Sequence, residues 1–103
     1  MFNINGYEWS VEFVSSKHPM LLISNNLYTV GTTDLHSQTI YLSNKLRGSF
    51  LKKVFTHEVC HALMFSYSIF INRDAEEWVC DFVASHGEEI ITTANDVFYE
   101  MAG

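Results

Sequence analysis

Two histidines and a glutamate in one short segment are the residues of this chain best suited to chemistry. The segment His57-Glu58-Val59-Cys60-His61 has the pattern H-E-x-x-H within a stretch that predicts a helix. Residues four apart lie on one helix face, so His57 and His61 can direct two imidazoles at one metal ion. Glu58 lies about 100° further round the helix, where it can reach a water bound to that metal. Zinc-dependent hydrolysis requires these parts: neutral nitrogen ligands, an open coordination position and a carboxylate that accepts a proton.

The residues around this motif are mostly apolar. They are Leu51, Val54, Phe55, Val59, Cys60, Ala62, Leu63, Met64 and Phe65. A helix that is apolar on nearly every side predicts a buried central helix. Because an unpaired buried polar group costs about 1–3 kcal/mol, the histidines and the glutamate need partners. A metal ion would be such a partner. The competing interpretation is that His57 and His61 are two ordinary histidines on a surface helix.

The third metal ligand is expected from a second helix. A catalytic zinc takes three protein ligands and a water. Glu77 and Asp81 are four residues apart, so they share one face of that helix. We predict that Glu77 binds zinc and that Asp81 accepts the free ring N–H of a histidine ligand, which would fix its tautomer.

Other assignments of the third ligand remain open at this stage. Asp74 to Glu77 also fits a capping box, which would give Glu77 a backbone role at the helix start. On a helical wheel Glu76 flanks the apolar stripe and Glu77 lies roughly opposite it, so periodicity favours Glu76. His86 is a further candidate, although its position before Gly87 is typical of a helix-end histidine.

Length and composition predict one domain over residues 1–103 with a real core, since 48% of residues are hydrophobic and 15% aromatic. The formal net charge of -6 argues against nucleic acid as a partner, because phosphate binding requires positive charge. Cys60 and Cys80 lie in apolar helical surroundings and are expected to be buried free thiols, although a disulfide stays open. No apolar run reaches 18 residues and no signal peptide is evident, so we expect a cytoplasmic protein without a membrane segment.

Strands are predicted before the H-E-x-x-H helix. Residues 7–14 alternate apolar and polar, which is typical of a half-buried strand, and residues 15–20 predict a loop broken by Pro19. A short apolar piece over residues 21–24 precedes the β-branched segment 27–33. A turn over residues 34–38 and a strand over 39–42 then complete a hairpin.

Helices are predicted for the rest of the chain. The first helix begins at Gly48 and Ser49, with Ser49 as its N-cap, and ends near Ser66. The second begins near Ala75 after a break at residues 72–74. Its apolar stripe predicts core packing and comprises Ala75, Trp78, Val79, Phe82, Val83, Ile90, Ile91, Ala94, Val97, Phe98 and Met101.

The order of these parts resembles that of the zincin metallopeptidases. The likeness is greatest to minimal gluzincins, the small bacterial and phage proteins near the ImmA/IrrE and SprT-like groups, and covers residues 28–91. It is carried by the strand at residues 39–42, the active helix at 56–63 and the ligand helix at 76–84. Glu77 and Asp81 match the E-x-x-x-D pattern of gluzincins. The resemblance implies an α+β, zincin-like fold in which a small antiparallel or mixed sheet precedes the two helices.

The function expected from these features is a zinc-dependent peptidase. His57, His61 and Glu77 would hold Zn²⁺, and Glu58 would act as general base on a peptide or protein substrate. The substrate could pair with the strand at residues 39–42, and His36, Tyr67 and Tyr99 are candidate oxyanion stabilisers. The alternatives are a non-catalytic zinc-containing binding or regulatory module and a metal-free helical interaction domain.

Overall fold

The computed structural model describes residues 1–102, which form an α+β fold as the sequence predicts. Its strands are β1 (Phe2–Ile4), β2 (Tyr7–Val14), β3 (Leu22–Ser24), β4 (Leu27–Tyr28), β5 (Gly31–Asp34) and β6 (Thr39–Ser43). The main sheet has the order β1-β2-β6-β5, and β3 and β4 form a separate hairpin. The pair β2–β6 is parallel, whereas β1–β2 and β5–β6 are antiparallel, so the sheet is mixed.

The observed strands differ from the predicted ones in two details. The segment 27–33 is divided into β4 and β5, and the short strand β1 was not predicted. The hairpin that joins β5 to β6 is confirmed, with Gly31 opposite Leu42 and Asp34 opposite Thr39. Because β6 pairs with both β2 and β5, it is an interior strand, and the predicted pairing of a substrate with residues 39–42 is wrong.

The core lies between the sheet and the first helix. Its buried side chains include Trp9, Ile40, Leu42 and Ala62. Trp9 is fully buried, and its Nε1–H donates to Ser66 Oγ at 2.9 Å, which ties β2 to the end of that helix. Trp9, the third residue of β2, therefore lies in the core, while the other residues of this strand are half-buried or exposed.

The helices are α1 (Gly48–Ser66) and α2 (Arg73–Ala102). Both predicted helices are confirmed, but their starts differ. Ser49 lies inside α1, and Arg47 occupies the N-cap position without a capping side-chain hydrogen bond. The α2 start is held instead by Asn72, whose side chain accepts from the backbone N–H of Ala75 at 2.9 Å. No helix over residues 1–102 is long and apolar enough to cross a membrane.

The apolar stripe of α2 is not core, contrary to the prediction. Trp78 is 67% exposed and Phe98 58% exposed, and Cys80 is the one buried residue of α2. Cys60 and Cys80 are free thiols packed in one buried cluster, as predicted. The helix α2 therefore packs on α1 through the face that carries Cys80, and most of the stripe is left in solvent.

Candidate metal centre

Three side chains from the two helices converge at one point, and they are the three predicted as ligands. The Nε2 atoms of His57 and His61 lie 3.2 Å apart. The Glu77 carboxylate reaches both, with 3.2 Å from Oε2 to His57 Nε2 and 2.9 Å from Oε1 to His61 Nε2. His57, His61 and Glu77 thus lie close enough to hold a metal ion.

The spacing of these donor atoms suits a tetrahedral ion. Zinc bonds of about 2.0–2.2 Å to nitrogen and oxygen imply neighbouring donor atoms about 3.4 Å apart in a tetrahedral site. The observed separations of 2.9 to 3.2 Å approach that value. The three donors therefore fit one face of a tetrahedral ion site.

The outer ring nitrogens of both histidines face carboxylates. His57 Nδ1 lies 2.9 Å from Asp81 Oδ1, and His61 Nδ1 lies 2.5 Å from Glu76 Oε2. Each Nδ1–H can donate to its carboxylate, which assigns the lone pair of each Nε2 to the centre. Asp81 lies where the sequence predicted it, in position to accept the ring N–H of a histidine ligand. Glu76, considered as an alternative ligand, instead orients His61.

The electrostatics of this arrangement favour a cation. In the tautomer in which each Nδ1 carries the ring proton, the two Nε2 lone pairs and the Glu77 carboxylate point at one another. The histidine side chains are only 16% and 13% exposed, so water relieves this repulsion poorly. A divalent ion at the centre would satisfy all three donors.

The other assignments considered for α2 fail on position. The Glu77 side chain faces the two histidines and Asn72 supplies the cap, so the capping-box interpretation is wrong. His86 contacts Glu89 at 3.3 Å and lies outside the cluster. The helical wheel favoured Glu76, which flanks Val79, Cys80 and Val83. That face does pack on α1, but the Glu76 carboxylate meets His61 Nδ1 and not the donor centre.

Glu58 lies beside the three ligands without joining them. Its side chain is 9% exposed, and Oε2 is 4.0 Å from His57 Nε2. Burial raises the pKa of this carboxyl, opposed by the Thr33 hydrogen bond and by the charges of the histidines. Thr33 Oγ1 donates to Glu58 Oε1 at 2.8 Å, so a residue of β5 fixes the direction of the carboxylate.

Sequence reasoning missed two β5 residues that complete this site. Nothing in the sequence around Thr33 signals its contact with Glu58, which is 25 positions away. Gly31 had a weak signal, since a glycine inside a strand often marks a close backbone approach. A Cβ on Gly31 would lie 2.8 Å from Val54 Cγ1 and 3.4 Å from Glu58 Cγ, so glycine lets β5 pack directly on α1.

The donor cluster opens into a cleft of about 580 Å³. Its walls come from β5, the two helices, the β3–β4 hairpin and the α1–α2 loop. They include Gly31, Thr32 and Thr33, the four residues His57, Glu58, His61 and Glu77, and the apolar side chains of Ile23, Leu35 and Ile71. His36, Tyr67 and Tyr99 are not among the lining residues, so none of them has the expected place beside the metal centre.

This chain has no match in comparisons with protein families, with curated proteins or with solved structures. The assignment of a metal centre therefore depends on the geometry of His57, His61 and Glu77 and on the carboxylates that hold the two imidazoles.

Proposed function

We propose that this protein is a zinc-dependent peptidase of the gluzincin kind. The observation that carries the proposal is a buried carboxylate, Glu58, held by Thr33 beside a three-donor metal centre in an open cleft. A purely structural zinc site is usually closed by four protein ligands, whereas a catalytic site keeps one position free. Three converging donors and an adjacent cleft favour the catalytic kind.

The proposed role of each residue follows from its position in the site. His57, His61 and Glu77 would hold the ion, while Asp81 and Glu76 keep the imidazoles in the required tautomer. Zinc bound there would lower the pKa of a water towards about 7 and polarise a peptide carbonyl. Glu58 would accept the proton of that water and deliver it to the leaving amine.

The edge of the sheet offers a place for an extended substrate. Within residues 1–102, β5 pairs with β6 on one side only. Its residues Gly31 to Thr33 line the same cleft as Glu58. An extended peptide could add to this edge by backbone hydrogen bonding, which would lead its carbonyl groups past the metal centre. The substrate class proposed is therefore a peptide or an unfolded protein segment.

Replacement of Glu58 by glutamine tests the proposal. Glu58→Gln retains the shape of the side chain and the bond from Thr33 but cannot accept a proton. Tag-free protein loaded with one equivalent of zinc should cleave a mixed fluorogenic peptide library, and the variant should lose about 10²–10⁴-fold in rate. Its zinc content should be unchanged. Glu88→Gln, an exposed change in α2, is the matched control.

Two outcomes would contradict this function. Equal cleavage by Glu58→Gln and wild type would remove Glu58 from the mechanism. Stoichiometric zinc without cleavage of any library peptide would favour the non-catalytic binding module. Native protein that takes up no zinc would exclude both zinc-containing functions.

A further inference from the structure

A second groove adjoins the cleft at the metal centre. The residues that the two recesses share are Thr29, Gly31, His57 and Glu58. Val30 lines only the second groove and Thr33 only the cleft, so the two recesses follow one another along β5. An extended chain that adds to the edge of β5 would therefore continue on both sides of the metal centre.

Residues of α2 line the two recesses in helix order. Arg73, the first residue of α2, lines only the cleft, whereas Asp81 and Ala84 line only the second groove. Arg73 precedes the metal ligand Glu77 by four residues, so both lie on one face of α2, about 6 Å apart along the helix axis. Arg73 therefore lies beyond the metal centre, at the end of the cleft remote from the second groove.

Arg73 has no ionic partner within the part of the chain that the structure describes. It is exposed, and no ion pair among residues 1–102 includes it. The carboxylates of Glu76 and Glu77 are directed at the two histidine ligands instead. Among the described residues no other Lys or Arg lines the cleft. Because a guanidinium presents parallel N–H groups that pair bidentately with a carboxylate, Arg73 offers a site to such a group in the cleft.

Three exposed apolar side chains line the same cleft as Arg73. They are Ile23 of β3, Leu35 after β5 and Ile71 before α2, with exposures of 63%, 45% and 44%. A peptide would cover this apolar surface with its own side chains while its carboxylate pairs with Arg73, whereas a small inorganic anion would leave the apolar side chains in water. The occupant that fits this end of the cleft is therefore a peptide that carries a carboxylate.

We propose that Arg73 is a specificity residue that binds a carboxylate of the peptide substrate, an inference that rests on the peptidase function proposed above. An extended peptide advances about 3.3 Å per residue, so the ~6 Å between Arg73 and Glu77 along α2 spans about two residues. The carboxylate should therefore belong to a residue within about three positions of the scissile bond. Two sources supply such a group: an Asp or Glu side chain, or the C-terminus of the peptide.

Digestion of a peptide library by zinc-loaded protein tests this preference, with mass spectrometry identifying the residues on each side of every cut. Wild type should favour Asp and Glu over Asn and Gln at one position by about 3–10-fold, as expected for one exposed charge-assisted pair. Arg73→Gln should abolish the preference, Arg73→Lys should retain part of it, and Arg73→Glu should favour Lys or Arg there. Lys17→Glu is the matched control, because it changes the charge as Arg73→Glu does, at an exposed residue outside both recesses.

Paired peptides distinguish the two sources of the carboxylate. Amidated peptides that differ only by Glu or Gln at the preferred position report on the side chain. Peptides of one sequence that end in a free acid or in an amide report on the C-terminus. Internal cuts that favour the Glu peptide assign the side chain, whereas a preference that amidation abolishes assigns the C-terminus.

Binding gives a second measurement that does not depend on turnover. In fluorescence anisotropy, zinc-loaded Glu58→Gln should bind the acidic member of the preferred pair about 3–10-fold more tightly than the neutral member. Adding Arg73→Gln to that variant should make the two Kd values equal. Zinc content and circular dichroism should stay unchanged in the Arg73 variants, because Arg73 is not a ligand.

The outcomes separate the role of Arg73 from the peptidase function. Cleavage without an acidic preference, or with one that Arg73→Gln retains, would overturn the role of Arg73 and leave the peptidase function intact. Equal Kd values for the acidic and neutral peptides on Glu58→Gln would do the same. Failure to cleave any library peptide would overturn the peptidase function and this inference with it.

Discussion

Removal of each acidic side chain near the histidines should separate ligands from orienting residues. Glu77→Ala deletes a donor and should abolish zinc binding or weaken it severely. Glu76→Ala and Asp81→Ala leave all three donors in place but delete the acceptors of the His61 and His57 ring N–H groups. Loss of such a partner typically weakens metal binding about 10–100-fold.

The solvent exposure of each carboxylate determines whether its removal weakens zinc binding by nearer tenfold or nearer a hundredfold. The Glu76 side chain is 28% exposed, so little water can replace it at His61 Nδ1. We therefore expect Glu76→Ala to weaken zinc binding by nearly a hundredfold, which corresponds to about 2.7 kcal/mol of binding free energy. The Asp81 side chain is 73% exposed, so water can take over its hydrogen bond. Asp81→Ala should therefore weaken zinc binding only about tenfold, which corresponds to about 1.4 kcal/mol of binding free energy.

The assay is competition for zinc with a chromogenic chelator at one fixed pH, since protons compete for the same ligands. Circular dichroism of each variant shows whether both helices remain folded. Glu88→Ala is the control, because its side chain is 80% exposed and contacts Lys52 rather than the histidines. Wild-type affinity in Glu77→Ala with zinc lost in Glu76→Ala would refute the ligand assignment. Equal affinities in all variants would refute the metal centre itself.

Three further predictions concern the support of the site and of the fold. Thr33→Val should slow peptide cleavage at least about tenfold with zinc retained, because Glu58 loses the bond that directs it, and Thr33→Ser should restore the rate. Gly31→Ala should lower the free energy of unfolding by about 1–3 kcal/mol in urea denaturation, because its Cβ would overlap α1. Trp9→Phe should lower the free energy of unfolding by about 1–3 kcal/mol or more, because the buried Ser66 hydroxyl loses its hydrogen-bond partner and the smaller ring leaves a cavity. Trp78→Phe should leave the free energy of unfolding nearly unchanged, because Trp78 is exposed.

The sequence was informative where function depends on residues close together along one element. The four-residue spacing of His57 and His61 defines one helix face, and Glu77 and Asp81 share a face for the same reason. Strand alternation and turn residues likewise predicted β2 and the β5–β6 hairpin, while helix-start residues and apolar periodicity predicted both helices. These inferences use local geometry, which the periodicity of a helix or strand determines.

Only the tertiary structure decided how the two helices face each other. The packing of α2 on α1 through Cys80 brings Glu77 to both Nε2 atoms and places Glu76 at His61 Nδ1. It also paired Thr33 with Glu58 and made β5 the sheet edge beside the cleft. Such contacts join residues far apart in sequence. They depend on which surfaces bury together, and periodicity within one element does not contain that information.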